Sequence, residues 1–223
     1  MTVQHSFIQE DELTELPTRY RGQLLLALES LLSPDPEQRG DGLENLILLK
    51  GHLRSPAATA VLATRLLEPQ FRLRSTIVAA LSAALRPAPG AARPPQVVRR
   101  WLRFQLAEMR QPEVYGLLRL VVEYEEQFSE VCNLLNACSY AGESLEAILG
   151  DRTVEVGVRA IAARAIGEVG FIDSIPALRD LSARLETRHD RQLGMGFAPE
   201  PDSEPQQLLP AVREALADLE NRV

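Results

Sequence analysis

Apolar residues recur along most of the chain at intervals of three or four positions. This spacing places them on one face of an α-helix, and the segments that show it are separated by short stretches containing Pro, Gly or Asp. No segment alternates apolar and polar residues as a half-buried strand does, and aromatic residues make up only 5% of the chain. The pattern predicts an all-α protein, with helices over residues 18–32, 36–50, 55–67, 69–85, 96–110, 112–125, 127–141, 143–149, 153–169, 172–188 and 206–221.

The residues between these segments divide the chain into four parts. Residues 1–17 are predicted to be an N-terminal tail, residues 18–189 a continuous array of helices, and residues 206–223 a helix that caps the array. Residues 190–205 contain Gly194, Gly196 and three prolines, which predicts a flexible loop. Helices of similar length with short connections are typical of helical bundles and of stacked helical hairpins.

The most specific pattern lies in residues 158–181. Its apolar residues share one helix face about 140° wide. Gly170 suits a left-handed helix end, and Pro176 suits the first turn of a second helix. The full motif comprises Val158, Arg159, Ala162, Ala163, Ala165, Ile166, Gly167, Val169, Gly170, Ile175, Pro176, Ala177 and Leu178. This stretch resembles a HEAT-like repeat, in particular the subtype shared with phycobilisome lyases.

The resemblance implies an α-solenoid of stacked antiparallel helix pairs, with about four to five units. Weaker similarities occur at residues 73–85, 128–149 and 209–219. Residues 35–49 also have the helix pattern, with Asp41 where the repeat has Arg. Asp151 precedes Arg159 by more than the usual spacing of the Asp–Arg pair between repeats. HEAT-like proteins generally act as scaffolds or adaptors, so the resemblance implies a protein partner.

Positive charge is concentrated in the middle of the chain. The formal net charge is −7, yet residues 69–110 contain eight arginines and one acid, Glu108. On a helix over 96–110 several of these arginines share one side, with Trp101 opposite as a core or inter-repeat residue. The candidate residues for binding an acidic partner are Arg72, Arg74, Arg99, Arg100, Arg103 and Arg110. The alternative is a solvated face whose arginines pair with acids of neighbouring helices. One candidate counterpart is an acidic run, within the same molecule or across a dimer: Glu123, Glu125, Glu126 and Glu130.

The sequence contains no recognisable catalytic or metal-binding motif. Its three histidines, His5, His52 and His189, are isolated, and Cys132 and Cys138 have neither redox nor zinc spacing. We therefore predict no catalytic residues, no metal site and no cofactor. No signal-peptide pattern and no apolar run long enough to span a membrane is found, so we expect a cytoplasmic protein that does not bind membranes.

Three functions remain as hypotheses from the sequence. The first is a non-enzymatic scaffold that binds a protein through an elongated helical surface. The second, from the resemblance alone, is a subunit that acts on a bilin-bearing protein. The third, nucleic-acid binding through the arginine-rich centre, is disfavoured by the net charge of −7 and by the lack of aromatic residues spaced among the arginines. The oligomeric state stays open.

Overall fold

A computed structural model describes residues 18–91, 93–193 and 203–222, and the regular elements of these residues are all helical. Two short 3-10 helices, Glu125–Gln127 and Ile172–Ser174, precede two of the α-helices. The α-helices are α1 (Thr18–Leu31), α2 (Pro36–Leu48), α3 (Gly51–Arg54), α4 (Pro56–Thr64), α5 (Phe71–Leu85), α6 (Gln96–Ala107), α7 (Gln111–Glu123), α8 (Phe128–Leu135), α9 (Ala141–Gly150), α10 (Val156–Val169), α11 (Ile175–Leu193) and α12 (Ser203–Glu220). The all-α class predicted from the apolar spacing is therefore confirmed.

Several helix boundaries differ from the predicted ones for local reasons. Lys50 has a φ of 54°, a left-handed conformation that separates α2 from the short helix α3. The predicted loop over 190–205 is too long at both ends, because α11 continues to Leu193 and α12 already begins at Ser203. Pro205 is compatible with this start, since a helix's first turn needs no hydrogen bond from its N–H groups. Residues 194–202 and the predicted tail over 1–17 lie outside the described residues.

The capping residues of the repeat-like segment adopt the predicted conformations. Gly170 follows α10 with a φ of 89°, and its N–H donates to the carbonyl oxygen of Ile166 at 3.1 Å. Pro176 is the second residue of α11, where a missing N–H is tolerated. Val158, Ala162, Ile166 and Leu178 are all fully buried. The face predicted for α10 is therefore the face that packs into the core.

One apolar cluster runs from α1 to α12 and contains most of the buried leucines. The helix α2 contacts α1 and α5, and α5 in turn contacts α7 and α8. Both α7 and α8 contact α10, which also packs on α9 and on α12. The helix α4 packs against α6. Each of these helices thus buries its apolar side against a small number of neighbouring helices.

Two glycines mark the closest approaches between helices at opposite ends of this series. A Cβ atom added to Gly42 on α2 would lie 2.5 Å from the backbone nitrogen of Leu31 on α1. At Gly167 on α10 it would lie 2.8 Å from the Cα atom of Ala215 on α12. Because both obstacles are backbone atoms, a side chain at either position forces the helices apart.

We expect Gly167→Ala to lower the free energy of unfolding by about 1–3 kcal/mol, because the added methyl group overpacks the α10–α12 contact. Gly157→Ala in the same helix is the matched control, since its Cβ would have no neighbour within 4 Å. That control is expected to raise stability by up to about 1 kcal/mol through helix propensity. Urea denaturation followed by far-UV circular dichroism measures both, and equal effects would contradict the close packing of α10 on α12.

Candidate partner-binding surface

Arg74, one of the predicted partner-binding residues, is buried between helices. Its Nε donates to the carbonyl oxygen of Glu68 at 2.7 Å, and its Nη1 donates to the carbonyl oxygen of Gly116 in α7 at 3.1 Å. Burial lowers the pKa of Arg74. The prediction that Arg74 binds a partner is therefore wrong: the side chain joins α5 to α7 and is only 8% exposed. Arg72, two residues earlier, is exposed.

Arg159 occupies the same position in α10. Its Nε donates to the carbonyl oxygen of Leu149 at 2.9 Å, and its Nη1 donates to the carboxylate of Glu204 in α12. Arg188 donates to the other oxygen of Glu204. Burial raises the pKa of Glu204, but the hydrogen bonds and charges of the two arginines outweigh this effect and leave its pKa lowered. This carboxylate therefore joins three helices.

Asp151 does not hydrogen-bond Arg159. Its carboxylate accepts hydrogen bonds from the N–H of Thr153 at 2.8 Å and from the Thr153 hydroxyl at 2.7 Å. These hydrogen bonds lower the pKa of Asp151. Arg159 pairs instead with Glu204, which lies 45 residues later in the chain.

In the first part of the chain the equivalent residue is Arg39. Its Nε and Nη2 donate to the two carboxylate oxygens of Glu68 at 3.0 and 2.7 Å, and its Nη1 donates to the carbonyl oxygen of Pro34 at 2.8 Å. Asp41, which the alignment with the repeat placed at this point, is exposed. The residue of α2 that makes contacts like those of Arg159 is therefore Arg39, two positions before Asp41.

The three anchor arginines, Arg39, Arg74 and Arg159, share one arrangement. Each is the fourth residue of its helix, and each donates to a main-chain carbonyl of the segment before that helix. The residues three, four and seven positions later are buried in all three helices: Gly42, Leu43 and Leu46 in α2, Ile77, Val78 and Leu81 in α5, and Ala162, Ala163 and Ile166 in α10. The same arginine contact thus occurs in the first turn of three separate helices.

The remaining arginines of the predicted cluster lie on or near α6. Val98, Leu102 and Leu106 form the buried side of this helix, while Arg100 and Arg103 are exposed. Arg99 is half-buried, and its Nε has no hydrogen-bond partner among the described residues.

Arg110 is separate from this group because α6 ends at Ala107. Its guanidinium carbon lies 3.7 Å from the ring centroid of Tyr140, and its Nη2 lies 3.5 Å from the carboxylate of Glu108. Arg110 is therefore engaged by two side chains of this chain, and only Arg99, Arg100 and Arg103 of the predicted cluster share α6.

An aromatic pair accompanies the arginines of α6. Trp101 is half-buried and lies outside the core, so the interpretation of Trp101 as a core residue is wrong. Its ring meets that of Phe104 edge to face, with centroids 5.9 Å apart and an interplanar angle of 84°. Phe104 is 59% exposed. We refer to Arg100, Trp101, Arg103 and Phe104 together as the α6 outer face.

Sequence reasoning did not identify Phe104. At 100° per residue it lies about 40° from Arg100 and opposite the buried side of α6. An aromatic residue on the polar side of a helix, between charged neighbours, is the feature of the sequence that could have identified Phe104 as a candidate binding residue.

Four arginines outside residues 69–110 pair with glutamates of neighbouring segments. The pairs are Arg119 with Glu155, Arg164 with Glu125, Arg179 with Glu220 and Arg213 with Glu186. Glu125 belongs to the acidic run after α7, so this part of the run contacts α10. In the described part of the chain neither Arg99 nor Arg103 forms such a pair, whereas Arg119, Arg164, Arg179 and Arg213 do.

His52 and the two cysteines, Cys132 and Cys138, are buried. Burial lowers the pKa of His52, whose Nδ1 has no hydrogen-bond partner among the described residues. Burial raises the pKa of the Cys132 thiol to about 12 and also raises that of Cys138, so both thiols are protonated at neutral pH. The described residues include no group of three or more His, Cys, Asp or Glu placed to hold a metal ion. None of the described helices combines the length and the apolar character needed to cross a bilayer.

Comparisons of the chain with protein-family models, with curated proteins and with solved structures give no match. The class of the protein is therefore the one that its own helices define, an all-α protein.

Proposed function

We propose that this chain is a non-enzymatic scaffold that binds a protein partner through the surface of a HEAT-like α-solenoid. The observation that carries the function is the α6 outer face, where two exposed arginines stand beside the exposed Phe104 and the half-buried Trp101. Tryptophan and arginine are among the residues that contribute most to protein–protein binding. A binding surface of this kind needs no catalytic group.

The repeated arginine anchors support the solenoid part of the proposal. Arg39, Arg74 and Arg159 begin their helices in the same way, as expected of repeated structural units. The contacts of α2 with α5, of α5 with α8, of α8 with α10 and of α10 with α12 fit a row of first helices in successive units. The contact of α4 with α6 fits a second row, and such a stack exposes an elongated surface.

The partner in this proposal is an acidic protein encountered in a reducing compartment such as the cytoplasm. Two free, buried cysteines suit that compartment. The excess of arginine over residues 69–110 favours an acidic partner because opposite charges speed and orient association. Bilin chemistry and nucleic-acid binding, the two alternatives, are favoured by no particular contact of the described residues.

Affinity capture from a lysate of the source cells, followed by reconstitution with the purified captured protein, tests the proposal. We expect Arg100→Glu/Arg103→Glu to weaken binding of that protein at least tenfold. The matched control is Arg152→Glu/Arg184→Glu, which changes the charge equally at two exposed positions outside α6. Equal binding by the wild type and both double variants would show that the α6 outer face does not bind the partner. Failure to reconstitute any partner would contradict the scaffold function.

A further inference from the structure

We infer that the α6 outer face binds a short acidic peptide segment in which an apolar side chain lies between carboxylates. This inference rests on the proposed scaffold function and specifies the chemistry of the partner at that surface. Three properties of α6 support it: the order of side chains around the helix, the exposure of Phe104, and the charge of the surrounding residues.

The four side chains form adjacent cationic and aromatic parts. Arg100 has Arg103 three residues later and Phe104 four residues later, and Trp101 has Phe104 three residues later. Side chains at these spacings are neighbours on a helix surface, with Cβ atoms about 5–6 Å apart. Two guanidinium groups therefore stand beside one edge of an aromatic pair that is fixed in an edge-to-face arrangement.

Phe104 supplies the apolar part of the surface. It is the only exposed phenylalanine among the described residues, and its ring is supported by Trp101. Covering this ring removes apolar area from water, whereas a purely charged ligand leaves the area exposed. A partner that uses the whole face therefore needs an apolar side chain as well as acidic ones.

Charge complementarity identifies the other groups of the partner. Residues 69–110 contain only one acid, Glu108, and its carboxylate is next to Arg110. The paired arginines on α7, α10, α11 and α12 have their glutamates within the chain, but Arg103 forms no ion pair in the parts of the chain that the structure describes. Carboxylates on both sides of the apolar side chain complement the guanidinium groups, because Arg binds carboxylates through charge-assisted hydrogen bonds.

The surface fits a peptide better than a nucleic acid. Binding single strands combines a continuous basic groove with a series of aromatic residues, and α6 carries one aromatic pair. The rest of the chain has 16 basic and 30 acidic residues, so it repels a polyanion away from residues 69–110. A short acidic segment engages α6 without extending over those acidic regions.

Trp101 is the single tryptophan of the chain and reports directly on this face. We would titrate the purified full-length protein with the acetylated and amidated peptide EEFEELEE and follow the tryptophan emission. The expected result is a saturable shift of the emission to shorter wavelength that weakens as salt is added. The peptides QQFQQLQQ and EEGEEGEE, which lack the charge and the apolar side chains respectively, should each bind at least tenfold more weakly.

Protein variants separate the two parts of the surface. Arg100→Glu/Arg103→Glu and Phe104→Ser should each weaken binding of EEFEELEE at least tenfold, and Arg152→Glu/Arg184→Glu should leave it within twofold. All changed residues are exposed, so an unchanged thermal melting curve confirms that each variant is folded.

Equal binding of the glutamate and glutamine peptides, or equal binding by the two double variants, would overturn the inference. Tighter binding of single-stranded oligothymidylate would assign the face to nucleic acid. A concentration-dependent emission shift without peptide that disappears in Phe104→Ser would assign it to a second copy of the chain. If a captured partner binds reproducibly but the peptide does not bind, the scaffold function stands and only this inference falls.

Discussion

Replacing Arg74 by alanine is expected to lower the free energy of unfolding by about 2–4 kcal/mol. The substitution leaves the carbonyl oxygens of Glu68 and Gly116 without their guanidinium donor in a buried site, and it opens a cavity between α5 and α7. Urea denaturation at neutral pH measures the change. The same substitution also shows that Arg74 acts in the fold, since it should not alter peptide binding at the α6 outer face beyond its effect on stability.

Arg72→Ala is the matched control for this prediction. Arg72 lies in the same helix, two residues from Arg74, and its side chain is exposed. Its replacement should change the free energy of unfolding by no more than about 0.5 kcal/mol. Equal stability of the two alanine variants would contradict the buried position of Arg74 at the start of α5.

Ile166→Asp is expected to cost about 4 kcal/mol or more of stability. Ile166 is fully buried on the face of α10 that packs into the core, and a carboxylate placed there has no ion-pair partner among its apolar neighbours. The protein should therefore unfold at a much lower urea concentration, or fail to fold at room temperature.

Ile172→Asp controls for the chemistry of that substitution. Ile172 is 47% exposed in the 3-10 helix before α11, so a carboxylate there remains hydrated. Its expected effect is below about 1 kcal/mol. A stable Ile166→Asp protein, or equal loss of stability in both variants, would mean that the buried face of α10 is assigned to the wrong residues.

Local patterns were sufficient to predict the features that depend on a few neighbouring residues. The 3.6-residue period determined which side of α10 is apolar, and Val158, Ala162 and Ile166 are buried as that period requires. Gly170 adopts the left-handed conformation expected of a glycine after a helix. The residues around Gly170 also predicted the helix pair α10 and α11. Both ends of this segment carry residues with strong positional preferences in helices.

Features that depend on distant residues were not predictable in this way. The helix period places Arg74 on the same side of α5 as the buried Ile77 and Val78, but its acceptor in α7, the carbonyl oxygen of Gly116, lies 42 residues later in the chain. Glu204 pairs with Arg159 across 45 residues, and no local spacing relates the two. Phe104 differs from these two cases, because the helix period already places it opposite the buried side of α6 although its residue type favours the core.

Hydrogen exchange of two glycine variants tests most directly whether the chain is a stack of units that pack only on their neighbours. Gly42→Ala strains the α1–α2 contact, and Gly167→Ala strains the α10–α12 contact at the other end of the series. In such a stack, stability is local. We predict that Gly42→Ala lowers amide protection in α1–α4 and preserves it in α10–α12, and that Gly167→Ala does the reverse. Equal loss of protection throughout the chain in both variants would show a single cooperative globule and contradict the account.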